Sequence, residues 1–331
     1  MKTLRYLSSL ILFALLTASV SLISGCNKSD NVTGTSGTVN DYITAQAINS
    51  SSDGSNGDDN EALGTQVSDY DDGGATYDND GGASNTPLDS LRRYGRRVSN
   101  VNVNTNITID NDTLKTVLVT RTITGNFIII GYINGVIDSI SKPFTEVQKR
   151  IAYFKRVANS GEPRRDWRLY QFSLVDGQTT SPQTGKSNIV INKIEIYNGS
   201  ALVYTFNGPD FTSNLFTTRF FDETRIPRFR RGDVIHVKVS INSNQTDPDL
   251  VSYHWARNSF GFHREPFIMT SQTVNGSTFD RTYEKQFTIY GGHKIGIFNG
   301  FLSANTKASL WDNDVNLFSS TYAGIPYRIR L

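Results

Sequence analysis

Beyond residue 91 the chain is written in a period of two. From Val98 to Asp110, Val101, Val103, Thr105, Ile107 and Ile109 fall on one side, with asparagines and threonines on the other. That is the pattern of a half-buried strand. Asp110-Asn111-Asp112 turns this segment and Leu114–Thr124 returns; Gly125-Asn126 reads as a second turn, into Phe127-Ile128-Ile129-Ile130. A three-stranded meander is the expectation. Residues 142–160 admit two readings. Phe144, Val147, Ile151, Phe154 and Ala158 lie on one helical stripe, with Pro143 at its start and Gly161 at its end. Ile151, Tyr153, Phe154, Trp167, Tyr170 and Phe172 are strand-favouring types, and they favour a hairpin of residues 150–157 and 166–174 over the helix.

The polar stretch Asp176–Gly185 reads as a domain boundary, placed between residues 180 and 181. About nine short apolar segments follow: residues 189–197, 201–206, 234–241, 250–255, 267–273, 282–290, 294–298, 308–311 and 325–331. Asn-Gly, Gly-Asp and Gly-Gly punctuate them, and almost no long helical stripe is present. The expected fold class is therefore mainly β, with a small β-rich meander domain over 92–180 and a β-sandwich over 181–331. The sandwich is similar in architecture to immunoglobulin-like or jelly-roll domains, without the Cys-Trp-Cys signature of true immunoglobulin domains.

Residues 27–91 break the pattern. They are rich in Gly, Ser, Thr, Asn and Asp and sustain no period of 2 or 3.6. Twelve acids face the single base Lys28, a net charge of −11, whereas residues 92–331 carry +11. Low hydrophobicity with one-signed charge predicts a disordered tether, about 45 Å in r.m.s. span for a flexible coil of this length. Within it Asp69, Asp71 and Gly74 fit positions of a calcium loop, but position 5 is Gly73, the closing position is Asp80 and no flanking helices are readable, so condensed cations on a solvated tail are the simpler reading. A basic body suits anionic partners such as lipopolysaccharide or glycans; the excess also suits the chain's own acidic segment, or an even spread over solvated faces. No nucleic-acid partner is expected.

The first residues supply an address. Lys2 and Arg5 precede an apolar run from Leu7 to Ile23 that is too short and abruptly ended for a comfortable membrane span, an arrangement of signal-peptide type over 1–25. Ile23-Ser24-Gly25-Cys26 resembles the bacterial lipobox, and Cys26 is the only cysteine in 331 residues. The resemblance implies a bacterial lipoprotein: cleavage before Cys26, acylation of its sulfur and attachment to a membrane through N-terminal lipid. Asn27, where an aspartate would favour retention at the inner membrane, points to the cell outer membrane and leaves open whether the body faces the periplasm or the surface.

Candidate chemistry concentrates in residues 253–267. Tyr253, His254, Trp255, Arg257, Phe262, His263 and Glu265 combine aromatic faces with charged and polar groups, as a glycan-binding site requires, although a strand entering and leaving a loop with its aromatics in the core accounts for the same composition. Arg231-Gly232-Asp233 spells an adhesion tripeptide but stands where a turn is due. No nucleophile elbow, phosphate-cradling loop or zinc-ligand spacing is present, and the body holds no cysteine. These absences lean against an enzyme, predict neither metal nor cofactor, and favour a binding or structural module with an envelope glycan or protein as partner; a tethered glycan-active enzyme is the alternative.

Overall fold

A computed structural model describes residues 38–48, 77–78, 88–218, 220–221, 226–255 and 263–331. The calcium-loop residues Asp69, Asp71, Gly74 and Asp80 lie outside them, as does Cys26. Helix α1 (Val39–Ile48) precedes strands β1 (Tyr77–Asp78), β2 (Ser90–Asp110), β3 (Leu114–Ile133) and β4 (Val136–Arg156). The short helix α2 (Pro163–Asp166), β5 (Trp167–Ser173), β6 (Val175–Ser181) and the short helix α3 (Gly185–Asn188) come next. Then follow β7 (Ile189–Asn198), β8 (Ala201–Asn207), β9 (Leu215–Thr217), β10 (Arg228–Arg230), β11 (Val234–Ser243), β12 (Leu250–Trp255) and β13 (His263–Pro266). The chain ends with β14 (Ile268–Asn275), β15 (Thr278–Thr288), β16 (Gly296–Asn305), the short helix α4 (Lys307–Trp311) and β17 (Ser320–Arg330).

The mainly β expectation is met by two sheets. The larger runs β1-β2-β3-β4-β6-β17-β16-β12-β13, with β5 and β9 branching from β4 and β10 lying parallel to β17; the smaller runs β14-β15-β11-β7-β8. The larger sheet curls until its two ends meet. The Arg264 guanidinium, on β13, lies 3.4 Å from the ring centroid of Tyr94 on β2 and donates to the Tyr94 carbonyl at 2.6 Å. Beyond this closure the smaller sheet packs on the outer face of β12, β16 and β17, where Val251, Tyr253, Leu302, Ala304 and Ile325 join Ile196, Val237, Val239 and Phe287 in one core. Strands covered on both faces lose the in-out alternation of exposure, so β12 and β17 are buried along nearly their whole length and β16 along its last six residues.

Several expectations change. Gly125 is no turn: β3 runs straight through it, paired with Val98 on one side and Phe144 on the other. A Cβ there would stand 2.2 Å from the Arg97 carbonyl oxygen, so the glycine serves close strand approach. The turn lies instead at Asn134-Gly135, both at positive φ. Residues 142–160 follow the hairpin reading, with β4 continuing to Arg156 and pairing with β5. The boundary between 180 and 181 does not separate two bodies. It falls at the end of β6, which is hydrogen-bonded to β4 on one side and β17 on the other, and residues 38–331 form one compact unit. Polar composition there reflects a strand with one face in a polar interior, not a linker. Ala308–Trp311, expected as a strand, is helix α4, capped by Thr306, whose side chain accepts from the Ser309 amide.

Part of the segment expected to be a disordered tether is ordered. Residues 39–48, read as part of it, are helical because Val39, Ile43 and Ala47 repeat at i, i+4, i+8 and bury on the meander beside Val103 and Ile107. Thr38 and Asp41 close a reciprocal cap: the Asp41 amide donates to Thr38 Oγ1 at 3.3 Å and the Thr38 amide to Asp41 Oδ2 at 2.8 Å.

Candidate functional site

Of the residues singled out between 253 and 267, those whose side chains are described do not converge. Alternation along β12 sends Tyr253 and Trp255 to one face and His254 to the other. Tyr253 and Trp255 stack on Phe287 of the smaller sheet, with centroids 6.0 and 5.5 Å away. They line an apolar cavity of about 10 Å³, the space of a single water, in company with Phe229, Ile325 and Tyr327. Burial drives the Tyr253 phenol far above its ordinary pKa. Glu265, on β13, is half-buried and pairs with Lys285 at 3.5 Å. His263 sits opposite Trp255 in the β12–β13 register; Arg257 and Phe262 lie outside the described residues. Neither Tyr253, His254 nor Trp255 presents a ring face that a sugar could reach.

His254 belongs to a polar interior that the sequence did not announce. Inside the curled sheet, inward-facing positions of β2 and β4 place the charged groups Arg96 and Glu146, and those of β17, β16 and β12 add Ser320, Tyr322, Ser303 and His254, where alternation predicts apolar residues. Arg96 Nε donates to Glu146 Oε1 at 2.5 Å and its Nη2 to Ser320 Oγ at 2.8 Å; Tyr322 donates to Glu146 Oε2 at 3.2 Å. The Arg96 guanidinium also faces the rings of Phe127, Phe301 and Tyr322 at 5.5–6.0 Å, a cation–π enclosure. Its partner is fully buried, with 0% of Glu146 exposed. Burial and then the Glu146 charge hold the Tyr322 hydroxyl well above its usual pKa, so it stays a donor. The His254 ring lies flat on Phe301, 4.2 Å between centroids, and its Nε2 shares a 3.0 Å hydrogen bond with Ser303 Oγ.

No protein-family model matches this chain, and no curated protein matches it either. The chemistry of the site therefore has to be judged from its own geometry. The arginine, carboxylate and phenol satisfy one another at contact distance, which leaves the carboxylate committed rather than poised as a base. Gly177 explains how tightly the centre is closed, since a Cβ on it would stand 2.1 Å from the Tyr322 ring. The arrangement is suited to pinning five strands of the curled sheet, and Arg96 turns inward although it is out of phase with the Val101–Ile109 alternation, because the β2–β3 register shifts between Val98 and Asn100.

A second inward cluster lies farther along the meander. Arg121 and Arg150 line a small recess with Gln148 and Ala47. Burial, then the neighbouring charge of Arg121, pushes the Arg150 pKa down to about 9. Arg121 Nη2 reaches the Ile48 carbonyl at 3.4 Å, a cation at the C-terminal end of α1 where the helix dipole favours it. Among the described residues no group of three or more metal-ligating side chains gathers. The Arg231-Gly232-Asp233 tripeptide is the turn anticipated for it: Gly232 has φ +86°, and Asp233 Oδ2 accepts from the Arg230 amide at 2.8 Å and from Asn198 at 3.1 Å.

Proposed function

We propose that this chain is a lipid-anchored protein of the bacterial cell envelope, attached through Cys26, whose body acts as a binding or structural module rather than as an enzyme. The observation that carries this reading is Ile23-Ser24-Gly25-Cys26 at the end of an apolar N-terminal run, with the only cysteine of the chain at the modifiable position. An N-terminal cysteine with several acyl chains anchors stably to membranes, at about 0.8 kcal/mol per buried methylene. The body supports a non-enzymatic role through its construction: its most concentrated polar centre is sealed, and Arg96, Glu146 and Tyr322 are satisfied by one another. The partner is an envelope glycan or protein, and the outer membrane is the proposed site.

Metabolic labelling with an alkyne fatty acid tests the anchor. Label is expected on the intact protein and absent from Cys26→Ala, with the protein shifting from the membrane to the soluble fraction. An unlabelled wild-type protein would overturn the reading.

A further inference from the structure

The end of the body that carries the start of α1 also carries a basic and aromatic surface. Asn40 donates to Asp110 Oδ2 at 2.9 Å, which places the first turn of α1 at the tip of the β2–β3 hairpin. That tip is level with the end of β4, because Leu114 pairs with Lys155, and with the start of β5, because Lys155 pairs with Arg168. Helix α2 touches α1 at the same end. Arg164 and Arg165 project from α2 and are exposed, and Arg168 and Lys155 are half-buried. Lys155 Nζ stands 3.4 Å from the centroid of Tyr170, which packs edge-on against Phe221 at 5.0 Å. Beside it Phe220 is 65% exposed.

Among the described residues, the acids at this end are largely committed. Asp166 accepts from the Ser160 and Gly161 amides, Asp41 caps α1, and Asp110 is paired with Lys115; Glu162 and Asp112 remain exposed. A cluster of cations around an exposed aromatic side chain is the chemistry of an anionic lipid surface, where arginine binds headgroup phosphate and the ring enters the interface. Placement adds the second argument. Eleven residues separate Cys26 from Thr38, so the chain allows at most about 40 Å between the anchoring sulfur and this end of the body.

We propose that the surface formed by Lys155, Arg164, Arg165, Arg168, Tyr170 and Phe220 docks on anionic lipid headgroups and holds the body against the membrane to which Cys26 is attached. This rests on the lipid-anchor reading for its geometry, although the surface can be tested without the lipid. The chain from residue 26 with Cys26→Ser, which carries no acyl group, is mixed with vesicles of phosphatidylglycerol and phosphatidylethanolamine or of phosphatidylcholine alone, and sedimentation is measured at low and high salt.

Binding is expected only to the anionic vesicles, weakening as salt rises. The triple variant Arg164→Glu, Arg165→Glu, Arg168→Glu is expected to bind roughly a hundredfold more weakly, from about fivefold per lost cation. Phe220→Ala, at an exposed position, is expected to bind several-fold more weakly, with the melting temperature unchanged. Absence of binding to anionic vesicles at low salt would overturn the proposal, and so would a triple variant that folds and binds as the parent does. Labelled Cys26 without vesicle binding by the Cys26→Ser chain defeats the surface and spares the anchor. Vesicle binding with no label on Cys26 defeats the anchor and spares the surface.

Discussion

Arg96 and Glu146 show how a charged pair is tolerated where water is excluded. Each desolvated ion costs several kcal/mol, and a buried pair recovers this only with further hydrogen bonds to its donors and acceptors, which Ser320 and Tyr322 supply here. His254, two strands from Tyr322 in the same interior, solves the problem by staying neutral. Burial first, then the charges of Arg264 and Arg96, hold its pKa well below the ordinary 6.5. The unfolded chain takes up a proton near pH 6.5 that the folded chain refuses, so His254 contributes no penalty above that pH and an increasing one as pH falls below it. The expected slope reaches at most about 1.4 kcal/mol per pH unit. Chemical denaturation of the parent and of His254→Gln at a series of pH values checks this: the parent loses stability below pH 6.5 and the variant loses less. Identical pH profiles would show that the imidazole is not the titrating group.

At the scale of elements, α1 is the instructive case. Its i, i+4, i+8 apolar residues are few and sit inside an acidic, Gly-rich and Ser-rich segment, so composition masks them. What makes them a helix is the surface that receives them, since an isolated helix of ten residues is marginal in water. Ile43 has no exposed surface. Ile43→Asp places a carboxylate in that contact, and a loss of about 3 kcal/mol or more is expected, with new protease cleavage within residues 38–48. Limited proteolysis followed by mass spectrometry, together with the melting temperature, reads both effects. The strands were more legible. Val98–Asp110 and residues 114–124 alternate as strands should, yet alternation could not show that β3 runs on through Gly125, because a glycine that permits close strand approach and one that makes a turn look the same in sequence.

For the whole molecule, the decisive fact is that β6 and β17 pair across the expected domain boundary. The inner faces of β12, β16 and β17 need β2, β3 and β4 to cover Phe301, Ser303 and Tyr322, so the sandwich is not self-sufficient. Expression of residues 181–331 alone is expected to give an aggregated or unfolded product, whereas residues 38–331 fold cooperatively. Circular dichroism melts and size-exclusion chromatography of the two fragments make the comparison, and a cooperative, monodisperse 181–331 would contradict it.

The sequence by itself determined the class of fold, through period-2 alternation, and the address proposed at Cys26, through a local motif whose recognition requires no tertiary contact. Of the candidate site it conveyed residue types but not convergence. Tyr253, His254 and Trp255 are neighbours in the chain and are separated in space by the pleat, which sends alternate side chains to opposite faces. Only the tertiary structure decided that Arg96 meets Glu146 and Tyr322, that α1 belongs to the body, and that Lys155, Arg164, Arg165 and Phe220 share one end of it. Each of these depends on long-range strand register and on the curl of a sheet, and neither quantity is encoded in any window of the chain short enough to read.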